Sequence, residues 1–350
     1  MRAIVQDKYG SLEVLHLRDI DQPAVGDNDV LIRVHAAGVN PGDWAITRGL
    51  PYIARPTPLY GMGKPKNPVR GTDVAGKVEG VGSAVTRFQP GDEVFGWCKG
   101  SFADFAIAEE NALAKKPANL TFEQAAAAPM AGLVALQALR DHGHLRAGQK
   151  VLINGASGGI GTFAVQIAKS FGAEVTGVCS TRNVDMVRSI GADHVIDYTK
   201  EDFTRSGERY DLILDNVGNH SLSELRRALT PAGTLLPNSG GFEHHWFASG
   251  GRIVRALVVS RFVSQSLRTF LVSPKQEDLI VLKDLMEAGK VTPVIDRTFP
   301  LIESSQAIGQ VGEGHARGKV VITVSPPAGL TDNGTKSTSQ PRTSAAGAVV

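Results

Sequence analysis

From Met1 to about Asn119 the chain runs in short apolar alternations cut by glycine and proline, among them "DVLIRVHAAGV", "VAGKVEGVG", "RFQPGDEVFGW" and "SFADFAIAEE". Alternation of period two, bounded by turn residues, predicts several short strands folded into a compact β-rich unit. Between Leu50 and Val69 the segment "LPYIARPTPLYGMGKPKNPV" carries too many prolines for regular structure and predicts a long loop. Loops of this length more often wall a pocket than merely connect.

The register changes after "NLTFEQAAAAPMAGLVALQAL", an alanine-rich stretch that predicts a helix with Thr121 as its N-cap. Beyond it "KVLIN", "EVTGVC", "HVIDY", "DLILDNVG" and "GTLLPNSG" follow one another, the first few separated by helical segments. Strand alternating with helix is the pattern of a parallel sheet with crossover helices. Further on, "PKQEDLIVLKDLMEAGKV" and "LIESSQAIGQVGEG" predict amphipathic helices and "KVVITV" a closing strand, although periodicity does not say which unit they join. Residues 325–350 are small, polar and proline-containing, and are expected to be disordered because they offer little apolar area against chain entropy.

A length of 350 residues favours two domains over one core. Lys and Arg number 37 against 35 Asp and Glu, a net charge of +2, so the balance gives no ground for a nucleic-acid partner. The two cysteines, Cys98 and Cys179, are too few for a cysteine-rich zinc site or a disulfide framework and suit a reducing compartment. No apolar run is long enough to cross a bilayer, and the N-terminus has no apolar core behind a basic cap. The expected location is the cytoplasm, with no membrane partner.

The candidate chemistry starts at "VLINGASGGIG", where an apolar strand breaks into glycines and leads into the helical "TFAVQIAKSFG". Gly155, Gly158 and Gly161 have the spacing of a dinucleotide fingerprint in its proper strand-turn-helix setting. The first glycine permits the tight turn, the middle ones allow backbone to approach a pyrophosphate, and the last allows close packing of helix on strand. The whole turn, with Gly155, Ser157, Gly158, Gly159, Ile160 and Gly161, is the candidate pyrophosphate cradle. A plain structural turn and a flavin site are the alternatives.

Which dinucleotide binds depends on the end of the next strand, where an NAD site presents an acid to the ribose. The chain instead gives Ser180, Thr181 and Arg182, two hydroxyls and a permanent cation suited to a 2′-phosphate. NADPH is the expected cofactor, with Asp185 as a rival ribose ligand that would favour NAD.

Taken together, "AAGVNPGDW", "GTDVAGKVEGVGSAVTRFQPGDEVFG", "AAAAPMAGLVALQAL", "VLINGASGGIG", "GADHVIDY" and "GHARGKVVI" resemble the medium-chain dehydrogenase/reductase superfamily. The likeness is to its zinc-free quinone-oxidoreductase branch, in particular the reticulon-interacting-type NADPH oxidoreductases, and spans residues 30–324. The resemblance implies an α/β fold, a Rossmann doubly wound parallel sheet plus a GroES-like β-rich catalytic domain. Residues 1–120 and 263–324 would form the catalytic domain, 121–262 the Rossmann domain, and the active cleft would lie between them. It further implies that Ser180, Arg182 and Tyr198 surround the adenosine phosphate, that Asn216 and Val217 lie beside the cofactor, and that His315, Ala316 and Arg317 approach its other end. Asn40 would hold the acceptor or the nicotinamide amide, and Asp43 would orient it or relay a proton. A homodimer is compatible with the resemblance.

Zinc-dependent relatives take ligands from a Gly-His-Glu sequence where this chain has Gly71-Thr72-Asp73, and from a cysteine matched here by the region of Asn40. No metal is therefore expected, and without a Lewis acid alcohol oxidation is disfavoured. The expected activity is NADPH-dependent hydride transfer to a quinone or an α,β-unsaturated carbonyl. The alternatives are a zinc-free alcohol or aldehyde oxidoreductase and a catalytically weak NADPH-binding sensor or structural protein.

Two departures from the family pattern remove hydroxyls, Ala45 in place of a tyrosine and Val134 in place of a threonine. Tyr52, Tyr60 and Lys64 in the proline-rich loop are weak candidates to line the substrate pocket, since exposed loop residues are more often solvated. His244 and His245 read as surface residues, and His142 and His144 as cations at a helix end. Asp73, between glycines, reads as a turn-holding residue.

Overall fold

The structure is a computed structural model and describes residues 1–57, 60–238, 264–314 and 316–324. The chain divides between two large sheets. Six parallel strands lie in the order His194–Asp197, Glu174–Cys179, Lys150–Asn154, Tyr210–Asp215, Leu229–Pro237, Ser266–Leu267. The second, seven-stranded sheet runs Ile295–Pro300, Lys319–Thr323, Asp29–Val39, Asp73–Val81, Glu93–Trp97, Leu113–Lys115, with Phe105–Glu109 paired to Asp29–Val39. An outlying hairpin joins Arg2–Gln6 to Leu15–Asp19.

Parallel strands need crossovers, and here helices supply them. Gly159–Ser170 follows the strand Lys150–Asn154 and buries Phe163, Ala164, Ile167 and Ala168 completely. The helix Pro129–Gln137 packs on it, and Gln276–Glu287 packs on Pro129–Gln137 through Leu279 and Leu282. Thr121 caps Phe122–Ala126 as expected, its hydroxyl accepting the Gln124 N–H at 3.3 Å while the Gln124 side chain accepts the Thr121 N–H. The two late helical segments form at Gln276–Glu287 and Ser304–Gly312. After residue 262, Ser266–Leu267 still pairs in the six-stranded sheet, and the chain next pairs in the seven-stranded one at Ile295.

The two sheets meet where the site forms. Gly158, in the turn after Lys150–Asn154, bridges to Gly318, which precedes the strand Lys319–Thr323. No helix among the described residues is long and apolar enough to cross a membrane. The expected disordered segment at 325–350, together with His244 and His245, lies outside the described residues.

Candidate active site

The strand Asp29–Val39 ends at Asn40, and the helix Pro41–Arg48 begins at once. Pro41 suits this start because its fixed φ matches the first turn and its missing N–H has no partner there to lose. Asp43, in that first turn, accepts the Asn40 backbone N–H at 2.8 Å, a carboxylate at the positive end of the helix. It is 4% exposed. Burial pushes its pKa up to about 6; the Asn40 N–H, the Arg70 guanidinium and the Lys319 ammonium oppose the rise, and Asp73 adds to it.

Lys319 heads the strand antiparallel to Asp29–Val39, with Val320 opposite Val39. Its ammonium donates to Asn40 Oδ1 at 2.5 Å and to the Val39 carbonyl at 3.0 Å, and lies 4.0 Å from Asp73 Oδ2. Lys319 is 3% exposed and Asp73 fully buried. Burial lowers the Lys319 pKa and raises that of Asp73, and the attraction between the two charges works against both shifts. Asp73 is therefore not the turn residue expected from its flanking glycines. It opens the strand Asp73–Val81, accepts the Met130 N–H at 3.2 Å and faces a buried cation.

The other half of the Asn40 amide is the chemically open part. Asn40 Nδ2 is buried and makes no hydrogen bond of ordinary geometry, although the amide is near enough to help hold the Asp73 pKa down. A buried donor without an acceptor costs free energy unless a bound group supplies one.

The glycine-rich turn lies across the Lys319 side chain from this amide. Gly155 has φ 79°, a conformation that favours glycine, and a Cβ on Gly161 would stand 2.1 Å from the Gly155 carbonyl. At Gly158 such a Cβ would meet only the Gly155 carbonyl, at the ordinary contact distance of 3.5 Å. The first amides of the helix Gly159–Ser170 have no intrahelical acceptor and suit an anion. Gly318 donates its N–H to the Ser157 carbonyl at 2.8 Å, and the Lys319 side chain passes beside Gly159.

At the far end of the turn, Asn183 ties the pieces together. It is buried, and its Nδ2 donates to Ser157 Oγ at 3.0 Å and to Ser180 Oγ at 3.3 Å, while its Oδ1 has no partner. Ser180 and Tyr198 follow adjacent parallel strands, and the Tyr198 N–H donates to the Cys179 carbonyl at 3.0 Å. Arg182 and Tyr198 are exposed here. The Thr181 hydroxyl donates to Asp197 Oδ2 at 2.6 Å, and this bond is the main cause of an Asp197 pKa held down to about 2. Asp185, the rival ribose ligand, points into solvent and pairs with Arg188 at 4.0 Å.

Asn216 and Val217 adjoin the turn. The Asn216 N–H donates to the Asn154 carbonyl, and Val217 Cγ2 would touch a Cβ on Gly155. Val217 is half exposed and Asn216 Nδ2 is buried without a partner. Ala316 is half-buried and Arg317 exposed, while His315 lies outside the described residues.

In the proline-rich loop, Lys64 is exposed, but Tyr60 is 6% exposed and donates its hydroxyl to the Leu50 carbonyl at 2.6 Å. The expectation of an exposed Tyr60 is thus corrected, because its ring is packed where its hydroxyl finds a backbone acceptor. Tyr52 is half-buried against the Arg55 guanidinium. Ala45 and Val134 are buried, so hydroxyls there would also lie below the surface. The His142 ring stacks on Phe270 and burial lowers its pKa, contrary to the expected helix-end cation.

Two family models match the chain, an alcohol dehydrogenase GroES-like domain over residues 26–118 and a zinc-binding dehydrogenase over 190–322. The mouse NAD(P)H oxidoreductase RTN4IP1, mitochondrial, is 38% identical over 93% of this chain and 89% of its own length. The chain belongs to the medium-chain dehydrogenase/reductase superfamily. The chloroplast envelope quinone oxidoreductase homolog of Arabidopsis thaliana is 33% identical over 92% of this chain and 98% of its own. The solved quinone oxidoreductase from Coxiella burnetii superposes with a TM-score of 0.81 at 31% identity, covering 93% of this chain and 99% of its own.

One of these family descriptions names zinc, and the donors in this chain do not fit it. Asp73 faces the Lys319 ammonium, the Asn40 carbonyl oxygen holds that same ammonium, and burial pushes the nearby Cys98 thiol well above its ordinary pKa. A divalent cation would have to displace a cation already seated among these groups. Among the described residues no three His, Cys, Asp or Glu side chains are grouped to hold a metal.

Lys319, Arg70 and Asn183 bear on this geometry and were not among the residues marked from sequence, and Asp73 was marked only as a turn residue. A lysine heading the otherwise apolar "KVVITV" directly after a glycine is a signal for Lys319 alone.

Proposed function

We propose that the chain is an NADPH-dependent oxidoreductase that transfers hydride to a quinone, or to the β-carbon of an α,β-unsaturated carbonyl, without zinc. The observation that carries this reading is the buried Asn40 Nδ2, which has no acceptor at ordinary hydrogen-bond geometry, on the far side of Lys319 from the glycine-rich turn. The names of the relatives, which speak of NAD(P)H and of quinones, point the same way.

The residues fit the cofactor. The turn from Gly155 to Gly161 would hold the pyrophosphate, Ser180 and Arg182 the 2′-phosphate, Tyr198 the adenosine, and Asn216 and Val217 the flank of the dinucleotide. NADPH, when bound, supplies the hydride. Asn40 Nδ2 donates to the acceptor oxygen, or to the nicotinamide amide, and so stabilises charge that develops as the acceptor is reduced. Asp43 acts through the Asn40 backbone, holding the corner from which the amide projects. Water or a side chain supplies the balancing proton, to the oxygen of a reduced quinone or to the α-carbon of the enolate formed from an enone.

Catalytic and Rossmann domains flanking the cleft, a homodimer and a cytoplasmic location belong to the same reading. Light scattering and cell fractionation decide the last two. The activity is tested with chelator-treated protein, NADPH or NADH, and an ortho-quinone, an α,β-unsaturated aldehyde or a primary alcohol. Metal-independent oxidation of NADPH by the quinone or enal, faster than that of NADH, is the expected result. Turnover that appears only with added zinc, or only with the alcohol and oxidised cofactor, would overturn it.

A further inference from the structure

We propose that Lys319 is a positioning residue for the reduction: its ammonium, seated on the Val39 carbonyl and beside the Asp73 carboxylate, locks the Asn40 carboxamide with its carbonyl turned inward and its N–H donors left for the reacting groups. This inference rests on the oxidoreductase reading and assigns a role to a residue that holds no place in it.

The argument begins with what an ammonium can accept, which is nothing. Lys319 carries three donors and no acceptor, so only the oxygen of the Asn40 amide can face it. Turning the amide by half a revolution would set its NH2 group against the ammonium, donor to donor. The Lys319 ammonium donates to Asn40 Oδ1, a charge-assisted hydrogen bond. With the oxygen committed, Nδ2 is the half left over; it lies near enough to Asp73 to help hold that carboxyl's pKa down and has no acceptor at ordinary hydrogen-bond geometry.

The ammonium is itself held on every side. The Val39 carbonyl at 3.0 Å and Asn40 Oδ1 at 2.5 Å accept its hydrogen bonds, and the Asp73 carboxylate, 4.0 Å away, pairs with its charge. Asp73 is pinned in turn by the Met130 N–H. Neighbouring chain adds a second constraint, because Gly318, one residue earlier, is bonded to the Ser157 carbonyl of the glycine-rich turn. Two consecutive residues, Gly318 just before the strand and Lys319 at its head, thus fix the cofactor turn and the Asn40 amide relative to each other. A buried lysine that only filled space would be replaced well by an apolar side chain, since desolvating a charge is costly.

The test compares Lys319→Met, Lys319→Arg and Asn40→Ala, with the double variant of Met and Ala. Two readouts are used beside kcat and the NADPH dissociation constant. The first is the coupling between positions 319 and 40. The second is the pair of Asn40 side-chain NH2 signals in protein labelled with 15N at asparagine, identified by their loss in Asn40→Ala. Lys319→Met is expected to lower kcat roughly 10- to 100-fold, the worth of a charge-assisted hydrogen bond, while NADPH affinity stays within about twofold. The Asn40 signals shift in Lys319→Met and return towards their original positions in Lys319→Arg. On the Asn40→Ala background, Lys319→Met costs no more than about twofold.

Effects on kcat that multiply in the double variant would overturn the proposal, as would Asn40 signals unmoved in Lys319→Met, or a loss confined to NADPH binding. If Lys319→Met does not fold, Lys319→Gln removes the charge and carries the same readouts with the same expected direction. Failure of the wild-type protein to reduce any acceptor would count against the proposed function, and the Asn40 signals would still decide the role of Lys319.

Discussion

The backbone N–H of Gly318 donates to the carbonyl of Ser157 across 2.8 Å, so the strand that carries Lys319 is tied to the turn that opens the cofactor helix. Gly318 has φ 89°, and a Cβ there would stand 2.3 Å from the Val294 carbonyl. Gly318→Ala is therefore expected to destabilise the fold by about 2 kcal/mol or more and to weaken NADPH binding along with it. Denaturant unfolding and cofactor titration check this. An alanine variant with unchanged stability and cofactor affinity would show that the tie carries little energy.

Arg182 is the cation nearest Ser180 in sequence at the end of the second strand, and the Thr181 hydroxyl between them is already engaged by Asp197. Much of the preference for a 2′-phosphate then falls on the guanidinium. Arg182→Ala is expected to weaken NADPH by about 1.5 to 3 kcal/mol and NADH far less. Equal losses for the two cofactors, measured by titration, would remove Arg182 from the 2′-phosphate site.

Asp43 gives a pH prediction with an unusual sign. Its pKa is raised in the fold to about 6, while an unfolded chain leaves an aspartate near 3.9. Between these values the native protein binds the proton more tightly. The contribution of Asp43 to stability is thus greatest below about pH 4 and declines as pH rises through 6. Relative to Asp43→Asn, the wild-type protein should lose about 2 to 3 kcal/mol over that interval. Urea unfolding at pH 4 to 7.5 gives the difference directly, and a difference that grows with pH would contradict the burial argument.

Much of this arrangement was legible in the chain. Gly155, Gly158 and Gly161 gave the turn because steric demands on glycine are local, and Thr121 gave a helix start because an N-cap acts within three residues. The Lys319, Asn40 and Asp73 cluster was not legible, because it joins three strands far apart in sequence and its chemistry comes from burial. Asp73 misled for the same reason: flanking glycines suggest a turn, and only the facing lysine shows why an acid is kept inside a sheet. Tyr60 was misplaced because a proline-rich loop looks exposed, whereas this side chain is buried with its hydroxyl on the Leu50 carbonyl.

Tyr60 separates a structural from a pocket role in that loop. Its buried hydroxyl donates to the Leu50 carbonyl, so Tyr60→Phe is expected to cost about 1 kcal/mol of stability and to leave the acceptor KM unchanged. A raised KM with unchanged stability would assign the hydroxyl to the acceptor instead.

The central claim is hydride transfer from NADPH to an electrophilic acceptor on a metal-free site. It is tested most directly by supplying chelator-treated protein with NADPH doubly deuterated at C4 of the nicotinamide and an α,β-unsaturated aldehyde, and by locating the label in the product. One deuterium at the β-carbon, with slower turnover than unlabelled NADPH gives, is the predicted result. Reduced product with no deuterium at that carbon would contradict the account.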